Sequence, residues 1–253
     1  MSAGIPEPVE LLGVHVHPVD RQGLMEAVAA LIAQPRRSTI AYVNVHVMNL
    51  AAADGVLRAF LNGVDLCYCD GEGVRLGARI LQKELPMRMT GADWIWELAA
   101  RAEAEGWRIF WMGGEPGVTE AAALRLRQRC PRLQIASDHG FHPPEAQEAL
   151  RERIHCFAPH ILLVGMGSPT QERWVATWRE RLDVPVVWVL GATADFVSGR
   201  VSRGPAWLHQ RQEWLARLLT EPGRLWRRYL IGNSRFFAQV LAERLRSENE
   251  ARR

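Results

Sequence analysis

The sequence of 253 residues contains no apolar run close to the roughly 20 residues that a membrane-spanning helix needs. Its first residues, MSAGIPEPVELLG, lack a basic start followed by an apolar stretch, so we expect no secretory signal peptide. The four cysteines form no CxxC pair and no cysteine–histidine ligand set, which predicts reduced, buried thiols and a cytoplasmic protein. They are Cys67, Cys69, Cys130 and Cys156.

Several motifs that would define other kinds of enzyme are also missing. No GxGxxG dinucleotide fingerprint is present, because Gly165 and Gly167 are not followed by the third glycine, and no GxSxG nucleophile elbow occurs. HExxH is absent, and we interpret His46, His139 and His142 as loop or capping residues. Without a DxD pair there is no carboxylate clamp for a Mg²⁺- or Mn²⁺-bridged diphosphate. We therefore expect no metal and no cofactor.

The basic residues are almost all arginine, with Lys83 the only lysine, and they are unevenly distributed. Residues 1–199 carry 19 basic and 23 acidic residues, whereas residues 200–253 carry 12 arginines and 5 glutamates. The forked guanidinium group of arginine is well suited to binding phosphate, although a compositional bias of the genome would also explain the excess of arginine over lysine. The asymmetry predicts an α/β catalytic domain over 1–199 and a basic helical appendage over 200–253. No nucleic-acid partner is expected.

Apolar runs typical of buried strands alternate with helical segments along the first 190 residues. This order predicts βαβ units and therefore a Rossmann-like, doubly wound, largely parallel sheet. Strands are expected at 11–16, 39–45, 64–69, 107–112, 133–137, 161–164 and 186–190. Helices are expected at 20–33, 56–61, 74–81, 94–105, 118–129, 145–157 and from 170. After Gly191 we expect a loop, then amphipathic helices at 207–219 and 224–245 and a frayed tail.

The stretch from Ile161 to Arg173, ILLVGMGSPTQER, combines a buried strand, a glycine turn and a helix start. Backbone N–H groups and the positive end of a helix then point at one place, which favours a phosphate. Gln171 and Glu172 lie in the first helical turn, where their side chains can reach the same crevice. An ordinary strand–helix turn capped by Ser168 is the alternative.

In an open α/β sheet, ligands bind beyond the carboxyl ends of the strands. The polar and glycine residues expected there are Asn44, His46, Asp70, Glu72, Gly113, Gly114, Gly140, Gly165, Gly167 and Gln171. Asp70 ends a buried strand and precedes a glycine, so it is the candidate general base that could take a proton from a sugar hydroxyl. The sequence leaves open a second role, in which Asp70 only caps the next helix. Asp54 is interpreted as a helix cap.

Ordered sequence blocks resemble the WecG/TagA/CpsF family of bacterial glycosyltransferases, glycosyltransferase family 26. The first blocks are Val43-Asn44, Asp70-Gly71-x-Gly73, Arg88-x-Thr90-Gly91-x-Asp93, Gly113-Gly114-x-Pro116-Gly117, Gly140-Phe141 and Val164-Gly165-x-Gly167-x-Pro169-x-Gln171-Glu172. The later ones are Gly199-x4-Gly204-Pro205-x-Trp207, Glu213-Trp214-x2-Arg217, Glu221-Pro222-x-Arg224 and Arg228-Tyr229. Tyr42 departs from the pattern, because the family often has threonine at this position, which leaves the identity of the donor sugar open.

The resemblance implies an inverting, metal-independent transfer from a UDP-sugar to a polyprenyl-diphosphate-linked saccharide at the inner face of the cytoplasmic membrane. Asp70 matches the base of the family, Asn44 and Gln171 match polar groups near the sugar, and basic residues of the appendage match groups that meet the lipid diphosphate. The donor could carry N-acetylmannosamine, its uronic acid, glucuronic acid or glucose. The full set of expected substrate-binding residues is Asn44, Gly71, Arg88, Gly113, Gly114, Gly140, Gly165, Gly167, Gln171, Glu172, Arg203, Arg217, Arg224 and Arg228.

Other functions remain open at this point. One is a nucleotide-dependent oxidoreductase, and another is a non-catalytic nucleotide-sugar-binding subunit of a polysaccharide assembly complex. The appendage could be two packed amphipathic helices with a solvated face, or a peripheral membrane attachment through aromatic residues and arginines. Whether the chain forms a homo-oligomer is not decided by its sequence.

Overall fold

The computed structural model describes residues 4–201 and 230–251, and its centre is a six-stranded sheet in which every neighbouring pair is parallel. The strands of this sheet lie in the order β4-β3-β8-β7-β5-β6. Their bounds are β3 Ser38–Val43, β4 Leu66–Cys69, β5 Ile109–Gly113, β6 Ile135–Asp138, β7 Ile161–Gly165 and β8 Val186–Val189. Helices flank the sheet, so the predicted Rossmann-like α/β fold is confirmed.

The helices connect the strands and cover the sheet. They are α1 Arg21–Ile32, α2 Val45–Ala53, α3 Gly55–Gly63, α4 Glu72–Ile80, α5 Gly91–Glu105, α6 Val118–Arg129, α7 Gln147–Phe157, α8 Thr170–Trp178, α9 Thr193–Ser198 and α10 Gly232–Ala251. Short 3₁₀ turns occupy Pro144–Ala146 and Arg179–Arg181. Asp20 and Asp54 cap α1 and α3 with their carboxylates, as predicted.

The core lies on both faces of the sheet because five of its strands are buried along their full length. At its centre the rings of Trp94 and Trp188 stack with centroids 4.0 Å apart, and Tyr68 meets both edge-on. Three cysteines are buried and all four are free thiols, but Cys156 is exposed, so the prediction of four buried thiols was wrong for this residue.

The first predicted strand, 11–16, is instead a hairpin of β1 Val9–Leu11 and β2 Val14–Val16. Leu12 and Gly13 turn the chain with positive φ angles of 50° and 77°. A leucine rarely adopts this conformation, so Gly13 was the one signal of a turn between these strands. The hairpin is joined to β4, since the His17 N–H donates to the Cys67 carbonyl over 2.7 Å.

Two short helices were missed. The predicted strand 39–45 ends at Val43, and α2 begins two residues later, where Asn44 caps it. The segment after Gly191, expected to be a loop, contains α9, which ends at Gly199 in the left-handed conformation. Both helices begin at the carboxyl edge of the sheet, so both errors concern the neighbourhood of the site.

The C-terminal helix α10 packs on α2 and α4 through Phe236 and Val240, which are fully buried. The amphipathic helix predicted at 224–245 was expected to bury Leu230 and Leu241 on its apolar face, and this was wrong in part because both are exposed. The tail expected to be frayed is helical as far as Ala251. The helix predicted at 207–219 and the residues Arg203, Arg217, Arg224 and Arg228 lie outside the described residues. In the described part of the chain, no helix is both long and apolar enough to cross a membrane.

Candidate active site

A cleft of about 370 Å³ opens at the carboxyl edge of the sheet. It is lined by residues at the ends of strands β3, β4, β7 and β8 and by the starts of α5 and α9. These include Tyr42, Asn44, Asp70, Thr90, Gly91, Gly114, Gly165, Gly167, Ser168, Gly191 and Thr193. A second cavity, of about 650 Å³, lies at the far end of α4 between Arg75, Arg79 and Lys83. The cleft is the better candidate for the active site because ligands of open α/β sheets bind at strand ends.

Asp70 directly follows β4, and its N–H donates to the Val43 carbonyl over 2.8 Å, which fixes its backbone beside the end of β3. Helix α4 begins at Glu72 with Gly71 as its N-cap and without a capping side chain. Gly71 and not Asp70 therefore occupies the N-cap position of α4, so the alternative in which Asp70 is the N-cap residue was wrong. Gly71 has φ 134°, a value that favours glycine, so the chain can turn away immediately after the carboxylate.

Asn44 caps α2, since its Oδ1 accepts a hydrogen bond of 3.1 Å from the Val47 N–H. Thr90 precedes α5, where its N–H and hydroxyl both donate to Asp93 Oδ2 over 3.0 and 2.7 Å. Helices α2 and α5 thus start at residues that line the cleft. Their N-terminal dipoles favour a negatively charged ligand between them. Arg88 lies on the loop into α5, two residues before Thr90.

The glycine turns after β5, β6 and β7 pack backbone against backbone. A Cβ on Gly113 would lie 2.3 Å from the Gly165 carbonyl oxygen, and the Gly114 N–H donates to that same oxygen over 3.0 Å. The Gly140 N–H in turn donates to the Gly114 carbonyl over 3.1 Å. The predicted glycines are therefore brought together, with Gly114, Gly165 and Gly167 lining the cleft and Gly113 and Gly140 supporting them.

Gln171 and Glu172 are placed behind the wall of the cleft, where they are 0% and 1% exposed. Glu172 Oε1 accepts hydrogen bonds from Ser168 Oγ over 2.7 Å and from Gln171 Nε2 over 2.8 Å. Gln171 Oε1 accepts one of 3.0 Å from the Gly191 N–H. The pair therefore joins the turn after β7 to the turn after β8, two segments that line the cleft. Contact of either side chain with a substrate stays a prediction.

Burial raises the pKa of Glu172, although the bonds from Ser168 and Gln171 oppose the shift. Its Oε2 has no hydrogen-bond partner within the described residues. A pKa that is higher in the folded state contributes stability below the unfolded pKa, and this contribution is lost as the pH rises through the folded pKa. We expect Glu172→Gln, which stays neutral, to melt near the wild-type temperature at pH 4 and a few degrees above it at pH 8.

The measurement is thermal unfolding of both proteins across this pH range, with Glu120→Gln as the control, because Glu120 lies on the surface of α6. A difference in melting temperature that stays constant with pH would contradict a raised pKa for Glu172.

Several cleft residues escaped the sequence analysis because they follow β8, in the segment that was expected to be a loop. Gly191 has φ 62°, and a Cβ there would lie 2.5 Å from the Tyr42 hydroxyl. Tyr42 therefore fills the space beneath this turn. Asp195 and Phe196 line the cleft from α9. The signal available in the sequence was Gly199, a typical helix-ending residue six positions after Thr193.

Three carboxylates line the cleft, on Asp70, Glu115 and Asp195, whereas Arg200 is the one arginine or lysine found there among the described residues. Arg200 donates to Glu115 Oε2 over 2.6 Å, and this contact raises the pKa of the Arg200 guanidinium. The described part of the cleft is therefore rich in proton acceptors and poor in cations. In the same part of the chain, the one group of three possible metal ligands is Asp138, His139 and His142, at the end of β6.

The family model described as "Glycosyl transferase WecG/TagA/CpsF family" matches residues 9–250 of the chain. The match includes all the strands of the sheet and the described residues that line the cleft. It also includes helix α10 as far as Glu250.

Proposed function

The chain belongs to the WecG/TagA/CpsF family of glycosyl transferases, and from this we propose that it transfers a sugar from a UDP-sugar to a polyprenyl-diphosphate-linked saccharide with inversion at the anomeric carbon. The product would be part of a cell-surface polysaccharide, such as an exopolysaccharide, a capsule, a teichoic acid or a common antigen. The observation that carries the proposal is the position of Asp70, which lines the cleft opposite the glycine turns of Gly114 and Gly165.

In this proposal Asp70 is the general base. Its carboxylate takes the proton of an acceptor hydroxyl while the hydroxyl oxygen forms a bond to the anomeric carbon of the donor. The bond from that carbon to the diphosphate oxygen breaks, and UDP leaves with the electron pair. A single displacement of this kind inverts the anomeric centre and needs no covalent nucleophile. The N-termini of α2 and α5 stabilise the departing diphosphate, and the glycine turns let it approach the backbone closely.

The departing diphosphate needs more positive charge than Arg200 supplies, since Arg200 is paired with Glu115. We propose that Arg88 and arginines of the segment 202–229 supply the remainder. Those in the segment are Arg203, Arg217, Arg224 and Arg228. Arginine binds phosphate oxygens in a bidentate manner, so a few such residues can replace a metal ion at a diphosphate.

The test is incubation of the purified full chain with a panel of UDP-sugars and a short-chain polyprenyl-diphosphate acceptor, with product detected by mass spectrometry. The panel covers UDP-linked N-acetylmannosamine, its uronic acid, glucuronic acid and glucose. We expect one donor to be used, inverted stereochemistry, and turnover that survives EDTA. A turnover that requires Mn²⁺ would contradict the metal-independent mechanism. UDP-sugar binding without turnover favours a binding subunit, and bound NAD(P) or flavin would favour an oxidoreductase.

We further propose that the protein attaches peripherally to the inner face of the cytoplasmic membrane, where a polyprenyl-linked acceptor would be found. One exposed face of α10 carries Leu241 and Leu245, one helical turn apart and 52% and 61% exposed, and Leu230, which precedes the helix, is 54% exposed. Arginines of the segment 202–229 would meet anionic headgroups beside this face. Homo-oligomerisation stays a prediction that light scattering would test.

Substitution of a single arginine in this segment is expected to weaken binding to anionic vesicles about 5-fold, because a basic residue near such a surface contributes about 1 kcal/mol. The variants are Arg217→Gln, Arg224→Gln and Arg228→Gln, measured by co-sedimentation with phosphatidylserine vesicles. Arg21→Gln, on the exposed start of α1, is the matched control and should bind like the wild type. Equal binding by all four variants would contradict the role assigned to this segment.

A further inference from the structure

A cluster of three possible metal ligands lies where β6 ends, outside the cleft. Asp138 is the last residue of the strand, and His139 and His142 follow on the loop that leads to α7. Their ligand atoms all lie within 4.8 Å of one another. A carboxylate followed by histidines one and four positions later matches no standard metal motif, so a metal site was not predicted here from the sequence.

The geometry of the cluster is close to what one metal ion requires. His142 Nε2 lies 2.9 Å from Asp138 Oδ1, and the rings of His139 and His142 stack with centroids 3.8 Å apart. Ligand atoms around one zinc ion are about 3–4 Å apart, since each lies about 2.0–2.2 Å from the metal. The two ligand atoms that lie farthest apart, at most 4.8 Å from each other, must therefore approach by less than about 2 Å to bind one ion. The proposal requires the partly exposed His139 side chain to make this movement.

Two of the three ligands are already held in place by neighbouring residues. Asp138 Oδ2 forms an ion pair with Arg153, whereas its Oδ1 is the oxygen directed at His142. The Thr119 hydroxyl donates to the Asp138 carbonyl over 2.8 Å, and Gln147 Nε2 donates to the His142 carbonyl over 2.8 Å. Bonds to the ligand residues that fix their orientation are a regular feature of metal sites in proteins.

We propose that Asp138, His139 and His142 bind one divalent transition-metal ion of the zinc class. Two imidazoles and one carboxylate favour Zn²⁺, Co²⁺ or Ni²⁺ over Mg²⁺ and Ca²⁺, which prefer oxygen ligands. Asp138 binds through Oδ1 and His142 through Nε2, with water at the remaining position. His139 binds through Nδ1, which now accepts a long hydrogen bond of 3.3 Å from the Phe141 N–H.

The ion would stabilise the loop that forms one rim of the cleft. Gly140 and Phe141 lie between the two histidine ligands, and Phe141 lines the cleft. The metal is therefore a structural element beside the donor site and takes no part in bond breaking. Its removal is expected to lower the melting temperature without abolishing sugar transfer, in agreement with turnover that survives EDTA.

The experiment measures Zn²⁺ binding by the full chain, stripped of metal with a chelator and then dialysed, in competition with a chromogenic zinc indicator. The variants are His139→Ala and His142→Gln, with His155→Ala on α7 as the matched control, because His155 contacts Arg151 rather than the cluster. Far-UV circular dichroism confirms that each variant is folded. Binding of Co²⁺ to the same proteins is followed by its visible absorption, which reports the ligand geometry.

We expect the wild type and His155→Ala to bind one zinc ion each and to melt at a higher temperature with zinc than without it. His139→Ala and His142→Gln should bind zinc at least about 100-fold more weakly than the wild type. Loss of a residue that only orients a metal ligand costs roughly 10–100-fold in affinity, so loss of a ligand itself should cost at least as much as the upper end of that range. The proposal is overturned if the wild type shows no saturable binding, or if His139→Ala and His142→Gln bind zinc as tightly as His155→Ala does.

Discussion

Asp70→Asn is expected to lower the rate of sugar transfer by about 10²–10⁴, the usual contribution of a general base. Asparagine has nearly the same shape but cannot accept the proton of the acceptor hydroxyl. The fold should be retained, since Asp70 is not the N-cap of α4 and its backbone N–H still bonds to Val43. The measurements are turnover with the donor identified in the panel, UDP affinity by calorimetry and melting temperature. We expect only the first of these to change strongly.

Two other carboxylates in the cleft provide the controls for this experiment. Glu115 is paired with Arg200, and Asp195 lies in the first turn of α9. Glu115→Gln and Asp195→Asn should each reduce turnover by less than about 10-fold, because they alter binding of the substrate without removing the base. If Asp195→Asn gave the large loss and Asp70→Asn gave nearly normal turnover, Asp195 would be the base.

The sequence predicted the parts of the site that depend on strand ends. Buried strands are apolar along their length, so the end of each apolar run could be recognised in the sequence. Asp70 directly follows such a strand, and Gly113 and Gly165 are the last residues of two others. The carboxyl ends of parallel strands meet at one edge, and this alone brought the predicted glycines and Asp70 to the same place. The family resemblance then agreed with the match over residues 9–250.

The remaining features of the site depend on contacts between segments that are far apart in the sequence, and such contacts cannot be read from a local sequence pattern. Gln171 was expected to reach into the crevice from the first turn of α8, but it turns towards Gly191, twenty residues later, and is buried. Tyr42 similarly occupies the space that a side chain on Gly191 would need. The burial of Phe236 was unexpected for the same reason, since only the absence of a side chain at Gly77 makes room for its ring.

Phe236→Ala is expected to destabilise the protein by about 3–5 kcal/mol, the usual cost of removing a buried phenylalanine ring, and to loosen α10 from α4. Because α10 directly follows the segment with the proposed acceptor-binding arginines, we expect transfer to the lipid acceptor to fall much more than UDP affinity. Denaturant unfolding and the transfer assay are the measurements. Leu241→Ala, on the exposed face of α10, is the control for the unfolding measurement alone and should change stability by less than about 0.5 kcal/mol. A chain ending near Val201 would lose Phe236 and Val240 from its core, so we expect it to be less stable than the full chain.

The contact between Gly77 and Phe236 permits a sharper test, because the effect of one substitution should change sign with the other. A Cβ on Gly77 would lie 2.7 Å from Phe236 Cζ, so Gly77→Ala alone must push the ring aside and destabilise the protein. In the Phe236→Ala background the ring is gone, and alanine is favoured over glycine inside a helix by about 1 kcal/mol. Gly77→Ala should then stabilise the protein, since the remaining close neighbour, Val240 Cγ2 at 3.2 Å from the added Cβ, needs to move by only a few tenths of an ångström. Equal effects of Gly77→Ala in both backgrounds would mean that α10 does not dock on α4 through this pair.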